Sequence, residues 1–133
     1  MKTIKVLKIE PGKYPVKSKL KVSIEYFNRA VSIGAYETGK ACSKKIDSGV
    51  YILYNSDGQY YDLVANRKVD KEIILGVFYV VGVNANYHPR SLTQSEIERY
   101  TSRFFYPEVY SYSDVVENSV DMLYDSLKEL EKL

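Results

Sequence analysis

Cysteine, histidine and tryptophan are nearly missing from this chain, which has one Cys, one His and no Trp among 133 residues. A single cysteine cannot form an internal disulfide, and a chain of this size without one is typical of a reducing compartment. Zinc needs three or four Cys, His or carboxylate ligands at characteristic spacing, which Cys42 and His88 cannot supply. Neither residue belongs to a catalytic motif, so we expect no catalytic residue, no metal and no enzyme activity.

Long apolar runs and nucleotide-binding loops are also missing. The most apolar stretch, Ile73–Val83, has 11 residues and is too short to span a membrane. The start of the sequence, Met1 to Lys13, alternates lysine with aliphatic residues and resembles neither a signal peptide nor a membrane span. The sequence has no GxxxxGK[ST] loop, and no GxGxxG follows a predicted strand. We therefore expect a cytoplasmic protein without a cofactor and without a membrane partner.

What the chain does have is an ordinary globular composition with an excess of tyrosine. Hydrophobic residues make up 45% and charged residues 27%, and there are 14 tyrosines. The length is close to the commonest size of one domain. We expect a single domain over residues 1–133, sheet-rich over about 1–90 and with two helices over about 92–133. This order, with the strands first and the helices last, predicts an α+β fold.

The charge is unevenly distributed along the chain. Residues 1–71 carry 14 basic and 7 acidic residues, a net charge of +7, whereas residues 72–133 carry 5 and 10, a net charge of −5. A basic half could meet nucleic acid or another anion. Alternatively, a basic sheet surface packs beside an acidic helical half, or against a copy of it. Nucleic acid is not the partner we expect.

Alternating apolar residues predict strands in the first two thirds of the chain. The predicted strands are Thr3–Ile9, the short pattern Lys19–Val22, Gly49–Tyr54, Gln59–Leu63 and Ile73–Val83. The turn residues from Asn55 to Gly58 predict that 49–54 and 59–63 form a hairpin. The stretch Ile73–Val83 should be the central buried strand, and Gly76 and Gly82 within it indicate a bulge or a close approach of another backbone or a ligand.

One short helix is predicted among these strands, and a loop after them. Ser23 can cap a helix whose Ile24, Phe27 and Val31 fall on one face, and Gly34 can end it. The residues from Asn84 to Arg90 predict a loop that leads to the C-terminal helices.

Two helices are predicted in the last third of the chain. Thr93 and Glu96 form a capping box flanked by a hydrophobic staple, and Pro107 is expected to end this helix. The helix should bury Ile97, Tyr100, Thr101 and Phe104. From Ser113 a longer helix carries Val116, Val120, Leu123, Leu127 and Leu130 at alternating spacings of four and three. This heptad spacing fits packing on the protein's own sheet or an interface between subunits.

Arg99 and Arg103 are the strongest candidates for a binding site. They lie four residues apart on one helix face, with Glu96 one turn before Arg99 and Arg90 in the preceding loop. The arginine fork suits phosphate, and tyrosine or phenylalanine rings can stack on a base. In a monomer this pattern favours a solvated face that carries an Arg–Glu pair, whereas in an oligomer the same face could line a pocket shared with a neighbouring subunit.

Several short motifs resemble a small family of phage and mobile-element proteins long regarded as being of unknown function. The motifs, in order, are Ile4–Lys13 (IKVLKIEPGK), Gly58, Asn66-Arg67, Gly76–Gly82 (GVFYVVG) and Ser91-Leu92-Thr93 followed by Tyr100 and Phe104. The resemblance covers about residues 3–105. The size, the order of elements and the Tyr- and Lys-rich character are also similar to the phage Thoeris anti-defence sponges of the first type.

This resemblance implies a function without catalysis. Such sponges sequester the cyclic ADP-ribose signal of the host's TIR-domain enzyme without cleaving it, so the effector is never activated, and some also bind cyclic oligonucleotides. They assemble as dimers or higher oligomers that hold the ligand between subunits. The resemblance implies Arg99 and Arg103 as candidates for contacts with the pyrophosphate, Phe78 or Tyr100 for stacking, and Asn84 or Asn86 for the adenine edge. The location would be the host cell cytoplasm.

A protein-binding phage or mobile-element accessory factor is the alternative. It would block a partner through the heptad-spaced C-terminal helix or the Tyr-rich sheet.

Overall fold

The computed structural model describes residues 2–32, 39–58 and 63–132 and has the predicted α+β fold: an antiparallel sheet with one short helix, then two C-terminal helices. The elements, in chain order, are β1 (Thr3–Ile9), β2 (Val16–Lys21), α1 (Ile24–Ala30), β3 (Ala41–Asp47), β4 (Val50–Asn55), β5 (Ala65–Val69), β6 (Glu72–Leu75), β7 (Phe78–Val83), β8 (Pro89–Arg90), α2 (Gln94–Arg103) and α3 (Tyr112–Glu131).

The main sheet is antiparallel throughout and has β7 at its centre. The strand order is β2-β1-β7-β4-β3, and β8 continues beside the end of β7. Val80 of β7 lies opposite Leu7 on one side and Ile52 on the other. Every residue of β7 except Val83 is buried, which explains why this segment is so apolar in sequence.

The apolar stretch Ile73–Val83 is not one strand, and in this respect the prediction is wrong. Gly76 has a φ of +79°, a conformation that favours glycine and that breaks the run into β6 and β7. Strand β6 pairs with β5 in a separate two-stranded sheet. At Gly82 the close neighbour is a side chain rather than a backbone or a ligand, because a Cβ atom there would lie 2.6 Å from the Arg90 guanidinium.

Each face of the main sheet packs against one helix. On one face, α2 and the small sheet cover a buried cluster that includes Leu7, Ile9, Ile52, Phe78, Val80, Ile97, Tyr100 and Phe104. On the other face, α1 covers a second cluster that includes Ile4, Val6, Leu20, Val31, Leu53, Tyr79 and Val81. Of the apolar residues predicted to share one face of α1, Val31 is buried, whereas Ile24 is 80% exposed.

Several predicted boundaries shift. Strand β3 was not predicted, and β4 pairs with β3 and β7. Residues 59–62 of the predicted returning strand lie outside the described residues, as does Gly34, and Leu63 is not in a strand. Helix α2 ends at Arg103, with Phe104 as its C-cap, before Pro107 is reached. Helix α3 begins at Tyr112, capped by Ser111, rather than at Ser113.

Candidate functional site

The start of α2 is fixed by the capping box that the sequence predicts. The Thr93 hydroxyl accepts a hydrogen bond from the Glu96 amide at 3.1 Å, and the Glu96 carboxylate accepts one from the Thr93 amide at 2.9 Å. Leu92 and Ile97, the predicted staple, lie in the same buried cluster. Because the helix register is fixed here, the positions of Arg99 and Arg103 on α2 are fixed too.

Glu96 is also gripped by Arg90, whose guanidinium binds both carboxylate oxygens. The nitrogen–oxygen distances are 2.8 and 3.0 Å, and the same guanidinium donates to the carbonyl oxygens of Ser91 and Gly49. The hydrogen bonds from Arg90 lower the pKa of Glu96 to about 2, against the opposing effect of burial. The sequence led us to expect Glu96 beside Arg99, but the structure pairs it with Arg90. A phosphate would have to displace Glu96 to reach Arg90.

Arg103 is held between two carboxylates. Its guanidinium lies 3.6 Å from Asp47 and 3.4 Å from Asp70, and it stacks over the Phe104 ring with 5.1 Å to the ring centroid. Asp47 also accepts a hydrogen bond of 2.6 Å from the Tyr100 hydroxyl. Two nearby negative charges weaken the attraction of Arg103 for an anion.

Arg99 is the more available of the two predicted cations. Its side chain is exposed and lies beside the Tyr100 hydroxyl. Among residues 2–32, 39–58 and 63–132, no carboxylate forms an ion pair with it. Its guanidinium therefore keeps its donors accessible to an anion that approaches the open face of α2.

The two rings predicted to stack on a base are both buried. Phe78 packs edge to face against Phe104, with ring centroids 5.3 Å apart, and has no exposed surface. Tyr100 is equally buried, and burial is the main cause of its raised pKa. Neither ring presents a face to a ligand in this fold.

Asn84 and Asn86 lie together on the exposed turn between β7 and β8. The Asn84 side-chain oxygen accepts hydrogen bonds from the backbone amides of Asn86 and His88, at 2.9 and 3.0 Å. No hydrogen bond within the described part of the chain joins this turn to Arg99 or Arg103. The structure thus groups the predicted residues into three sets: the arginines of α2 with Tyr100, Arg90 with Glu96, and the two asparagines.

Arg67 is a buried arginine whose role the sequence did not reveal. Its side chain is fully buried and donates to the carbonyl oxygens of Glu10, Lys13 and Phe104 and to the Asn66 side chain, at 2.7–3.1 Å. Burial lowers its pKa. The contact with Phe104 places a positive charge at the C-terminal end of α2, where the helix dipole favours it. Because its acceptors are all internal, Arg67 joins the β1–β2 turn to α2 and does not face a ligand.

The elements from β1 to α2 coincide with the part of the chain that matches a protein family. The domain of unknown function DUF3846 matches residues 4–105 of the sequence. The chain belongs to the DUF3846 family. No curated protein and no solved structure matches it. The DUF3846 match ends before α3, so α3 lies outside the matched residues.

A cleft of about 330 Å³ separates the DUF3846 domain from α3. Cys42, Tyr54 and Glu72 line its domain side, and Asn118 lies on the helix side. Burial is the main cause of the raised pKa values of both the Cys42 thiol and the Tyr54 hydroxyl. A thiol held neutral in this way is a poor nucleophile. Within the described residues, no group of three or more His, Cys, Asp or Glu residues is placed to hold a metal ion.

Helix α3 is attached to the DUF3846 domain through a residue in the first half of the helix. The Asn118 side chain accepts a hydrogen bond from the Ile73 amide at 2.9 Å and donates one to the Lys71 carbonyl oxygen at 2.7 Å. No residue of α3 is buried, and no described helix is long and apolar enough to cross a membrane.

The heptad-spaced residues of α3 form an exposed apolar row. The members of this apolar row are Val116, Val120, Leu123, Leu127 and Leu130, which are 38–61% exposed. The sequence left open whether this row packs on the protein's own sheet or forms an interface between subunits. The structure does not show the row packed on the sheet. The row is available to a partner.

Proposed function

We propose that this protein is a phage anti-defence protein that binds and sequesters a cyclic ADP-ribose-type signal without cleaving it. It would thereby block activation of the Thoeris effector in the host cell cytoplasm. The observation that carries the proposal is the exposed guanidinium of Arg99, which has no ion-pair partner within the described residues. The motif resemblance to the sponge proteins supplies the class of ligand, and cyclic oligonucleotides belong to the same class.

The contacts within one chain refine the expected site. Arg99 is the primary phosphate contact, and Arg103 a weaker one, because Asp47 and Asp70 already offset its charge. Arg90 holds Glu96 and positions α2 rather than binding the ligand.

The ring that stacks on the base must be an exposed one, and the chain offers such rings directly after α2. Phe105 is partly exposed and stacks on Tyr14, with ring centroids 4.7 Å apart. Tyr106 is more exposed and meets Phe105 edge to face. Aromatic stacking of a base contributes roughly 1–3 kcal/mol, so Tyr106 takes the place of Phe78 and Tyr100 in the proposal.

The proposal is tested by capture and release. The purified protein is incubated with cyclic ADP-ribose isomers, freed of unbound nucleotide and then heat-denatured, and the released material is analysed by chromatography. Release of the intact nucleotide in a fixed ratio to protein supports sequestration. An altered product would instead reveal an enzyme, and no retained nucleotide would contradict the proposal. Capture should depend only modestly on salt, unlike binding to nucleic acid.

A second candidate function is that of a protein-binding accessory factor that acts through its C-terminal helix. The observation that favours it is the exposed apolar row on α3, since exposed apolar patches mark interaction sites. This candidate predicts that the protein still blocks defence when Arg99 is replaced, and that it loses this effect when residues 112–132 are removed.

A further inference from the structure

We infer that the apolar row of α3 pairs with the same row of a second copy of this chain, as a parallel two-stranded coiled coil. The inference rests on α3 alone and goes beyond the proposed function, because it holds whether or not the protein binds a nucleotide. Its starting point is the spacing of the row, Val116–Val120–Leu123–Leu127–Leu130, which alternates between four and three residues. This is the spacing of positions a and d in a heptad repeat.

The row is sterically free to accept another helix. In an α-helix, Asn118 lies about 160° around the axis from the midline of the row. Asn118 is the residue that binds β6. The side of α3 that is attached to the domain and the side that carries the row are therefore nearly opposite.

The identities of the row residues favour two strands. With Val116, Leu123 and Leu130 at d positions, Val120 and Leu127 fall at a. A β-branched residue at a combined with leucine at d is the combination preferred by parallel dimers; Val120 with Leu123 and Leu130 matches it, whereas Leu127 at a and Val116 at d do not. The leucines dominate the second half of the row, which is also the half farther from Asn118.

The flanking residues favour one direction of pairing. In a parallel pair, position g faces position e of the other copy, which brings Ser119 to Tyr124 and Ser126 to Glu131. Neither pair combines like charges. In an antiparallel pair, e faces e, and the register that sets Val120 opposite Leu130 would bring Glu117 of one copy to Glu131 of the other. Two carboxylates at that spacing repel each other, so the parallel arrangement is favoured.

The first test measures the molar mass of the nucleotide-free protein by light scattering from about 1 to 200 μM, a range that covers micromolar association. We expect the mass of a dimer at tens of micromolar. The double variant Leu123→Glu, Leu127→Glu should be a monomer throughout and should still melt cooperatively, because the row is not part of the core; its melting temperature should not depend on protein concentration. The control variant Asp121→Asn, Asp125→Asn, on the same helix but off the row, should remain a dimer.

The second test fixes the direction of pairing. In a Cys42→Ala background, Val116→Cys and Leu130→Cys are made separately and oxidised. In a parallel pair each new cysteine lies opposite its own counterpart, and each variant should form a disulfide-linked dimer. In an antiparallel pair only the mixture of the two variants would cross-link, because each residue would lie about 20 Å from its counterpart.

The results that would overturn the inference are distinct. A monomeric wild-type protein would assign the row to a different protein. A dimer that survives the Leu123→Glu, Leu127→Glu double variant would place the interface elsewhere. Cross-linking confined to the mixture would exclude the parallel pair. Nucleotide capture is measured separately by the release experiment, so failure of this inference and failure of the proposed function can be told apart.

Discussion

The guanidinium of Arg90 binds both carboxylate oxygens of Glu96, so that the strand before α2 and the first turn of α2 are joined by one ion pair. This pair also explains why glycine occupies position 82, where a Cβ atom would collide with the Arg90 side chain.

Because of the Arg90–Glu96 pair, the free energy of unfolding should decrease at low pH. The pKa of Glu96 is about 2 in the folded protein, against an ordinary value of 4.5. A lowered pKa stabilises the fold above pH 4.5, and this contribution is lost as the pH falls toward 2. We expect wild type to lose about 2–3 kcal/mol more than Glu96→Gln between pH 5 and pH 2. Urea unfolding at several pH values measures this, with exposed Glu98→Gln as the control. Equal pH dependence in wild type and Glu96→Gln would contradict it.

Replacing Arg67 should be strongly destabilising. Arg67→Met leaves buried acceptors at Glu10, Lys13, Asn66 and Phe104 without their donor. We expect a loss of about 3–5 kcal/mol in the free energy of unfolding. Chemical denaturation measures this loss, and Lys68→Met, at the exposed neighbouring position, is the matched control. A loss below about 1 kcal/mol would show that these carbonyl groups find other partners.

Arg99 should matter most for capture of the nucleotide. Removing one charged partner from a phosphate contact costs about 2–5 kcal/mol, or about 30-fold to several thousand-fold in affinity. We expect this loss for Arg99→Ala and a smaller one, about tenfold, for Arg103→Ala. Calorimetric titration measures both, after folding and oligomer size have been checked. Arg29→Ala, which removes an exposed arginine paired with Glu25 on α1, is the control. Binding within twofold of wild type for both α2 variants would place the site elsewhere.

Cys42 and His88 should be dispensable. Burial raises the pKa of the Cys42 thiol, and His88 lies on the exposed turn between β7 and β8. The double variant Cys42→Ala, His88→Ala should capture nucleotide as wild type does, within about twofold, and Cys42 should react slowly with iodoacetamide at pH 8. A folded but inactive double variant would contradict the assignment of a binding protein without chemistry.

The sequence predicted those elements whose signals are local. The capping box at Thr93 and Glu96 is a contact between residues three apart, so it could be recognised without the fold. For α3, two serines compete for the cap. Ser111 is the cap because Asp114, three residues later, completes a capping box, whereas Ser113 is followed at that spacing by Val116.

The features that the sequence did not predict depend on contacts across the fold. The division of Ile73–Val83 depends on the φ angle of Gly76 and on pairing with β5. Whether Phe78 can stack on a base or is a core residue depends on the position of Phe104. The motif spacing on which the predicted site relied carries no information about burial. The sequence therefore could not reveal that both predicted rings are inside the protein.

The side-chain amide of Asn118 has a consequence for solubility. It accepts a hydrogen bond from Ile73 of β6 and donates one to Lys71 just before β6, and so imitates a peptide group of a neighbouring strand. An open strand edge is a template on which other chains can add strands and aggregate. Helix α3 therefore shields part of an edge that could otherwise recruit extended polypeptide, and an Asn118→Leu protein would be prone to form fibres through β6.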